Sequence, residues 1–268
     1  MERVEFLSDV ERVLVDGELT IHGRIMPASN ATFLAEAVTG DVTLRCVYKP
    51  IAGERPLWDF PHGTLAGREL AAYVVSTALG WDVVPLTVLR DGPEGPGMVQ
   101  LWCEPSADVE AVDLVPVGQT PPGFRRVLDA EDGRGNLVSL VHEDSAPLRR
   151  MAVFDVVVNN ADRKGGHVLA MADGHRYGVD HGVCFHTDHK LRTVLWGWAT
   201  ERLDAANRHA VEQLAERLDE DPTLRTVLTE LLSEEEVAAL AHRCRRLAAV
   251  GRMPTPSDAW PSIPWPAF

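Results

Sequence analysis

The apolar residues of this chain keep two different periods, and the change between them limits what it can fold into. Up to about residue 102, short stretches suited to strands recur: Glu18 to Arg24, Ala31 to Glu36, Val42 to Tyr48, Val83 to Leu89 and Met98 to Trp102. A single helical pattern, Leu65 to Leu79, interrupts them, with Thr64 placed to cap its start and Gly80 to close its end. From Trp198 to Val250 the spacing is helical throughout, as in Val211, Leu214 and Leu218. This segregation predicts an α+β chain, sheet-rich in its first half and helix-rich in its second, with a cleft between the two.

The remaining segments fill in that outline. Leu7 to Leu14 has helical spacing, with Ser8 or Asp9 as its cap. Pro105 to Arg126 is irregular and acidic, and Val127 to Ala130 with Leu137 to His142 suggests a hairpin around Asp132-Gly133. Ser145 caps a helix that carries Pro147 in its first turn and runs to about Val158. A polar loop, Asn159 to Gly166, precedes two short strands, Val168 to Met171 and Arg176 to Val179. After Arg252 five prolines forbid helix, and the tail is expected to lie extended, anchored by Trp260 and Trp265. The expected division is 1–103, 104–252 and a tail of 253–268.

Composition excludes several classes. A net charge of −14 argues against nucleic acid and against a polybasic membrane anchor. No apolar run reaches the length of a spanning helix, and the first residues do not read as a secretory signal. Cys46, Cys103, Cys184 and Cys244 form no Cys-x-x-Cys pair, which fits free thiols in a reducing cytoplasm. His181, His186 and His189 lie close in sequence, but no Glu completes a zinc-protease pattern.

Two acids carry the chemistry. Asp162 sits in the polar loop, Asp180 ends the strand Tyr177-Gly178-Val179, and one hairpin separates them. Hydrophobic runs precede both and aim them at one place. Such a pair suits metal-assisted phosphoryl transfer: one carboxylate orients and deprotonates the attacking hydroxyl, and the other holds a divalent cation.

The segments Phe154 to Arg163 and Tyr177 to Phe185 resemble the catalytic loop and metal-binding segment of the phosphatidylinositol 3-/4-kinase superfamily, and are similar to those of HipA-like atypical kinases. The stretch onward to Trp196-Gly197-Trp198 resembles the type II phosphatidylinositol 4-kinase pattern, and the actinobacterial SCO1664-like proteins resemble the chain most. The resemblance covers about Gly23 to Trp198 and implies a two-lobed protein-kinase-like fold with an ATP cleft. It implies Asp162 as the catalytic Asp and Asp180 as the principal Mg²⁺ ligand. His167 stands where the family has the Asn that holds a second metal, and imidazole suits Mn²⁺ or Zn²⁺ better than Mg²⁺. Lys164 stands where the lipid kinases have His, and its charge can neutralise a transferred phosphate.

The first half then supplies the nucleotide's partners. Lys49 closes an apolar strand and Glu69 lies on the Leu65 to Leu79 helix, in a stretch similar to the family's Arg-Glu-x-x-Ala-Tyr helix; together they form the expected ion pair. Ser29 and Asn30 sit in the turn expected to meet phosphates, since turn amides form anion-binding concavities. Gln100, Leu101 and Trp102 form the strand whose backbone is expected to bind adenine. No Walker motif is present. The acceptor is expected to be a small molecule or a protein hydroxyl rather than a lipid, because no amphipathic membrane helix accompanies the acidic chain. Two alternatives stay open: a nucleotide-binding pseudokinase that docks a partner through its Pro/Trp-rich tail, and transfer of AMP on a kinase-like fold.

Overall fold

The computed structural model describes residues 9–26, 30–257 and 261–268. Its first half is an antiparallel sheet of five strands in the order β1-β2-β3-β5-β4. These are β1 (Glu18–Arg24), β2 (Phe33–Thr39), β3 (Val42–Pro50), β4 (Thr87–Gly92) and β5 (Gly95–Leu101), with α1 (Asp9–Asp16) packed on one face and α2 (Leu65–Leu79) inserted between β3 and β4. Expected cap Ser8 lies outside the described residues. The sheet encloses a small core of Val13, Leu14, Ala35, Ala37, Cys46, Tyr48, Val88 and Val99. Tyr48 is fully enclosed and donates its hydroxyl to the carbonyl of Gly95 at 2.5 Å. That bond satisfies its polar end, so burial costs no lost hydrogen bond.

A second sheet, in the order β6-β8-β7, follows: β6 (Val112–Pro116), β7 (Phe124–Glu131) and β8 (Leu137–Glu143). β6 lies inside the stretch read as irregular; it has only two buried side chains, Val112 and Val115, and gains its ladder from β8, a long way on in sequence. The expected hairpin is β7–β8, with the first strand longer than expected. Strands β9 (Val168–Ala170) and β10 (Arg176–Gly178) form a two-stranded ribbon. Helices α3 (Ala146–Val158), α4 (Ala205–Glu220), α5 (Pro222–Leu231) and α6 (Glu234–Val250) complete the second half around a larger core that also takes in Ala71, Ala72, Val75 and Leu79 of α2. Among the described residues no helix is long and apolar enough to cross a membrane. Cys46, Cys184 and Cys244 are buried free thiols, and Cys103 is half-buried and also free.

The helix ends show where local sequence decides and where it does not. Gly80 closes α2 in the left-handed region at φ 67°, which glycine enters without steric cost. Ser145 accepts from the N–H of Leu148, as expected of a cap. Thr64 does not cap α2; its hydroxyl donates to the Pro61 carbonyl instead. The open N–H groups of Leu65 and Ala66 go to the Glu54 carboxylate, at 3.2 and 2.8 Å. A carboxylate at a helix start satisfies orphan donors and complements the helix dipole. Glu54→Ala should therefore lower stability by about 1–2 kcal/mol, measured by urea unfolding. A loss indistinguishable from zero would mean that water caps the helix equally well.

The tail departs from expectation. Trp265 is 69% exposed and anchors nothing, and Trp260 lies outside the described residues. The anchoring is done by main chain and by smaller side chains: the Ser262 carbonyl accepts from Trp196 Nε1 and from the Thr193 N–H, and Ala267 is buried.

Candidate active site

Strand β3 delivers Lys49 at its end, and α2 presents Glu69 across from it. The Lys49 ammonium lies 2.7 Å from Glu69 Oε1 and 2.7 Å from Asp180 Oδ1. Residues far apart in sequence, Lys49 from the sheet half and Asp180 from the helical half, thus meet through one cation. Burial works against the charge on Lys49, but Asp180 and then Glu69 outweigh it and hold the ammonium above its ordinary value. Asp180 is held well below the usual carboxylate range, chiefly by Lys49; burial opposes this and His167 adds to it. Its backbone sits in the left-handed region, at φ 62°. Asp tolerates this conformation better than most residues, and such outliers cluster at functional sites.

The other oxygen of Asp180, Oδ2, faces His167 Nε2 at 3.3 Å. Burial lowers the pKa of His167, with Asp180 pulling the other way. The same imidazole feels the charges of Asp162 and Lys164, so the two acids do share one neighbourhood. Lys164 Nζ and Asp162 Oδ2 lie 3.4 Å apart.

The loop holding Asp162 is built on a buried ion pair. Arg163, in the middle of a polar loop, is fully buried; its Nε donates to both oxygens of Asp155, at 3.0 and 3.2 Å. Asn160 and Thr193 donate to the same carboxylate, each at 3.0 Å. The Nη1 of Arg163 donates to the carbonyls of His167 and Val179, which precede the turn to Asp180. Its Nη2 lies 2.6 Å from Nε2 of the buried His181, which burial and then Arg163 keep neutral. Since that nitrogen must accept, the His181 proton is on Nδ1, toward Glu69 Oε2 at 4.0 Å. The backbone N–H of His181 also donates to Glu69 Oε2, at 2.8 Å. The sequence does not single out Arg163 or Asp155, because the loop's polar composition hides a buried arginine, and it offers His181 only as one of three neighbouring histidines.

The outer parts of the site are less directly placed. Asn30 lines the cavity with Lys49, Glu54, Glu69, Asp180 and Gly182, and its Oδ1 accepts from the Arg55 N–H. Ser29 lies outside the described residues. Gln100 is buried with its amide donating to Thr87 Oγ1. The N–H groups of Leu101 and Trp102 already serve the carbonyls of Leu86 and Arg45. A base at this edge would therefore find free N–H groups only past Trp102. A neighbouring cavity of about 160 Å³, lined by Ile51, Leu57, Phe60 and His62 among others, shares Glu54 and Leu65 with the Lys49 site.

The donor chemistry suits a divalent cation held jointly with substrate. Among the described residues no three acidic, His or Cys side chains are placed to hold a metal ion by themselves, but magnesium is commonly held by one or two carboxylates plus phosphate oxygens. Asp180 Oδ2 and the neutral His167 ring offer an oxygen and a nitrogen, and the buried His167 Nδ1 has no hydrogen-bond partner within the described chain. His181, His186 and His189 do not form a competing site: His181 is held by Arg163, and His186 packs edge-on against Phe60.

A mycobacterial protein, Protein Rv2133c of Mycobacterium tuberculosis, is 53% identical over 269 residues, covering 97% of this chain and 96% of that one. The chain belongs to the same family. No family model matches it. Among solved structures it is similar to a proinflammatory kinase of Helicobacter pylori, CtkA, at a TM-score of 0.46 and 11% identity, over 89% of this chain and 94% of that chain.

Proposed function

We propose that this protein is an ATP- and divalent-metal-dependent phosphotransferase on a kinase-like fold, acting on a hydroxyl of a small molecule or protein. The observation that carries the proposal is the Lys49 bridge, with Glu69 and Asp180 each 2.7 Å from one ammonium. A charged lysine steadied by two carboxylates is what positioning of nucleotide phosphates requires. Glu69 holds Lys49 and the backbone N–H that follows Asp180, so the lysine and the metal-binding aspartate are set by one carboxylate. Asp180, with His167 beside it, would hold the metal, which neutralises charge on the transferred phosphate when bound. Asp162 would orient the acceptor hydroxyl and take its proton, with Lys164 adjacent to offset the developing charge.

The imidazole of His167 favours Mn²⁺ over Mg²⁺ relative to an amide at that position. It also motivates a second proposal, a nucleotide-binding regulator with little turnover. One experiment separates the two. Purified protein and Asp180→Asn are compared for thermal stabilisation by ATP with Mg²⁺ or Mn²⁺, and for ADP release. Metal-dependent stabilisation and ADP release in the wild type, both lost in Asp180→Asn, is the expected result. Stabilisation without release under either metal favours the regulator, and no stabilisation at all sinks both.

A further inference from the structure

The tail makes contacts that its exposed tryptophan would not suggest. Residues 192–194 run between the loop of Asp162 and the tail. On one side Arg163 donates its N–H to the Arg192 carbonyl and accepts from the Val194 N–H; on the other the Thr193 N–H reaches the Ser262 carbonyl. Ile263 then packs against the larger core. Beyond it the chain returns to the loop itself: the Gly165 N–H donates to the Ala267 carbonyl at 2.8 Å. The Phe268 ring closes over Gly165 so tightly that a Cβ there would lie 2.2 Å from a ring carbon. Gly165 begins the short 3₁₀ turn Gly165–His167. Lys164 precedes that turn and His167 ends it, so the grip falls between two site residues.

We infer that residues 262–268 are a positioning strap for the loop carrying Asp162, Lys164 and His167, with Ala267 and Phe268 as its clasp on Gly165. Among the described residues no hydrogen bond or ion pair joins 262–268 to the side chains of Asp162, Lys164 or His167, so the strap acts through the loop backbone. Arg163 and Asp155 fix the loop from the inside, but their bonds reach the side of the loop facing the core. The outer side, where Gly165 lies, has no other backbone partner for its N–H than Ala267 among the described residues. Without the clasp this turn keeps its own bonds, from the His167 N–H to the Lys164 carbonyl at 3.2 Å and from the Val168 N–H to the Gly165 carbonyl, and the His167 carbonyl stays held by the Val179 N–H and Arg163, but the Gly165 N–H loses its partner. A short turn that loses the bond at its first N–H opens more readily at that end, and small misplacements of reacting groups are costly to turnover.

The inference about turnover rests on the proposed phosphotransfer, and the test keeps the two apart. In the chain of residues 1–268, Phe268→Ala, Gly165→Ala and the double variant are compared by amide hydrogen exchange over 162–167, with β2 and β3 as an internal reference for folding. Phe268→Ala is expected to speed exchange of this loop about tenfold or more while the reference is unchanged. Gly165→Ala, which pushes the ring off, should do the same, and the double variant should be no worse than either, since one contact is lost once. With ATP and metal, kcat should fall about ten- to a hundredfold in Phe268→Ala while KM for ATP stays near the wild-type value. Unchanged loop exchange, or effects of the two substitutions that simply add, would overturn the strap. Faster exchange with unaltered kcat would overturn its positioning role. If the wild type turns over no ATP at all, the phosphotransfer proposal fails, and the exchange data still decide whether the strap holds the loop.

Discussion

Asp155→Ala is expected to lower the unfolding free energy by about 3–5 kcal/mol, because it strands a buried guanidinium without its counter-ion. Asp155 accepts from Arg163, Asn160 and Thr193, and both members of the ion pair are fully buried. Removal leaves three donors unsatisfied in a place water does not reach. Urea denaturation reads the loss directly. The pair Asp155→Leu with Arg163→Met should recover much of it, because no charge is then stranded. That double variant should nonetheless be inactive, since the carbonyls of His167 and Val179 lose the guanidinium that aligns them. A loss below about 1 kcal/mol for Asp155→Ala would mean that Arg163 reaches solvent by rearrangement, and that the loop is not built on this pair.

Asp162→Asn is expected to cut turnover about 10²–10⁴-fold, the usual contribution of a positioned general base, while stabilisation by nucleotide and metal persists. Among the described residues Asp162 has no ion pair with Lys49; its side-chain partner is Lys164 at 3.4 Å, and its own N–H is tied to Asn160 Oδ1. Its removal therefore leaves the nucleotide's supports in place. Loss of binding in Asp180→Asn together with loss of turnover alone in Asp162→Asn would assign the two carboxylates to different roles. Wild-type turnover in Asp162→Asn would remove Asp162 from the chemistry. Single-turnover measurements with saturating nucleotide make the distinction clean.

The parts of this arrangement that could be read from the sequence are those fixed by local chemistry. Helix α2 ends at Leu79 because Gly80 can turn left-handed there, and Ser145 announces α3. Lys49 and Glu69 stand out as a charge at a strand end and a charge on a mostly apolar helix. What was hidden depends on distant partners. Glu54, not Thr64, caps α2, because the loop between β3 and α2 folds back on the helix start. Strand β6 has too few buried positions to show a period, and needs β8 to exist. Arg163 looks like a solvated loop cation until Asp155, a helical turn or two earlier, is seen to face it in the core. In the tail the tryptophans draw attention as bulk, yet carbonyl groups and Phe268 make the contacts to Gly165 and Thr193.

Helix α2 has a mechanical consequence. Its Arg68 is buried and bonded to Glu236 of α6 at 2.6 Å and to the Cys184 carbonyl at 2.8 Å. Its Gly67 lies against the Leu231 carbonyl, at the end of α5. The helix bearing Glu69 is thus bolted to the helical half, while Lys49 rides on the sheet. Rotation of α2 away from the site would break a buried ion pair, a costly motion. Any movement that keeps this pair intact leaves Glu69 with the helical half and Lys49 with β3, so the Lys49–Glu69 bond is the one such a movement would strain.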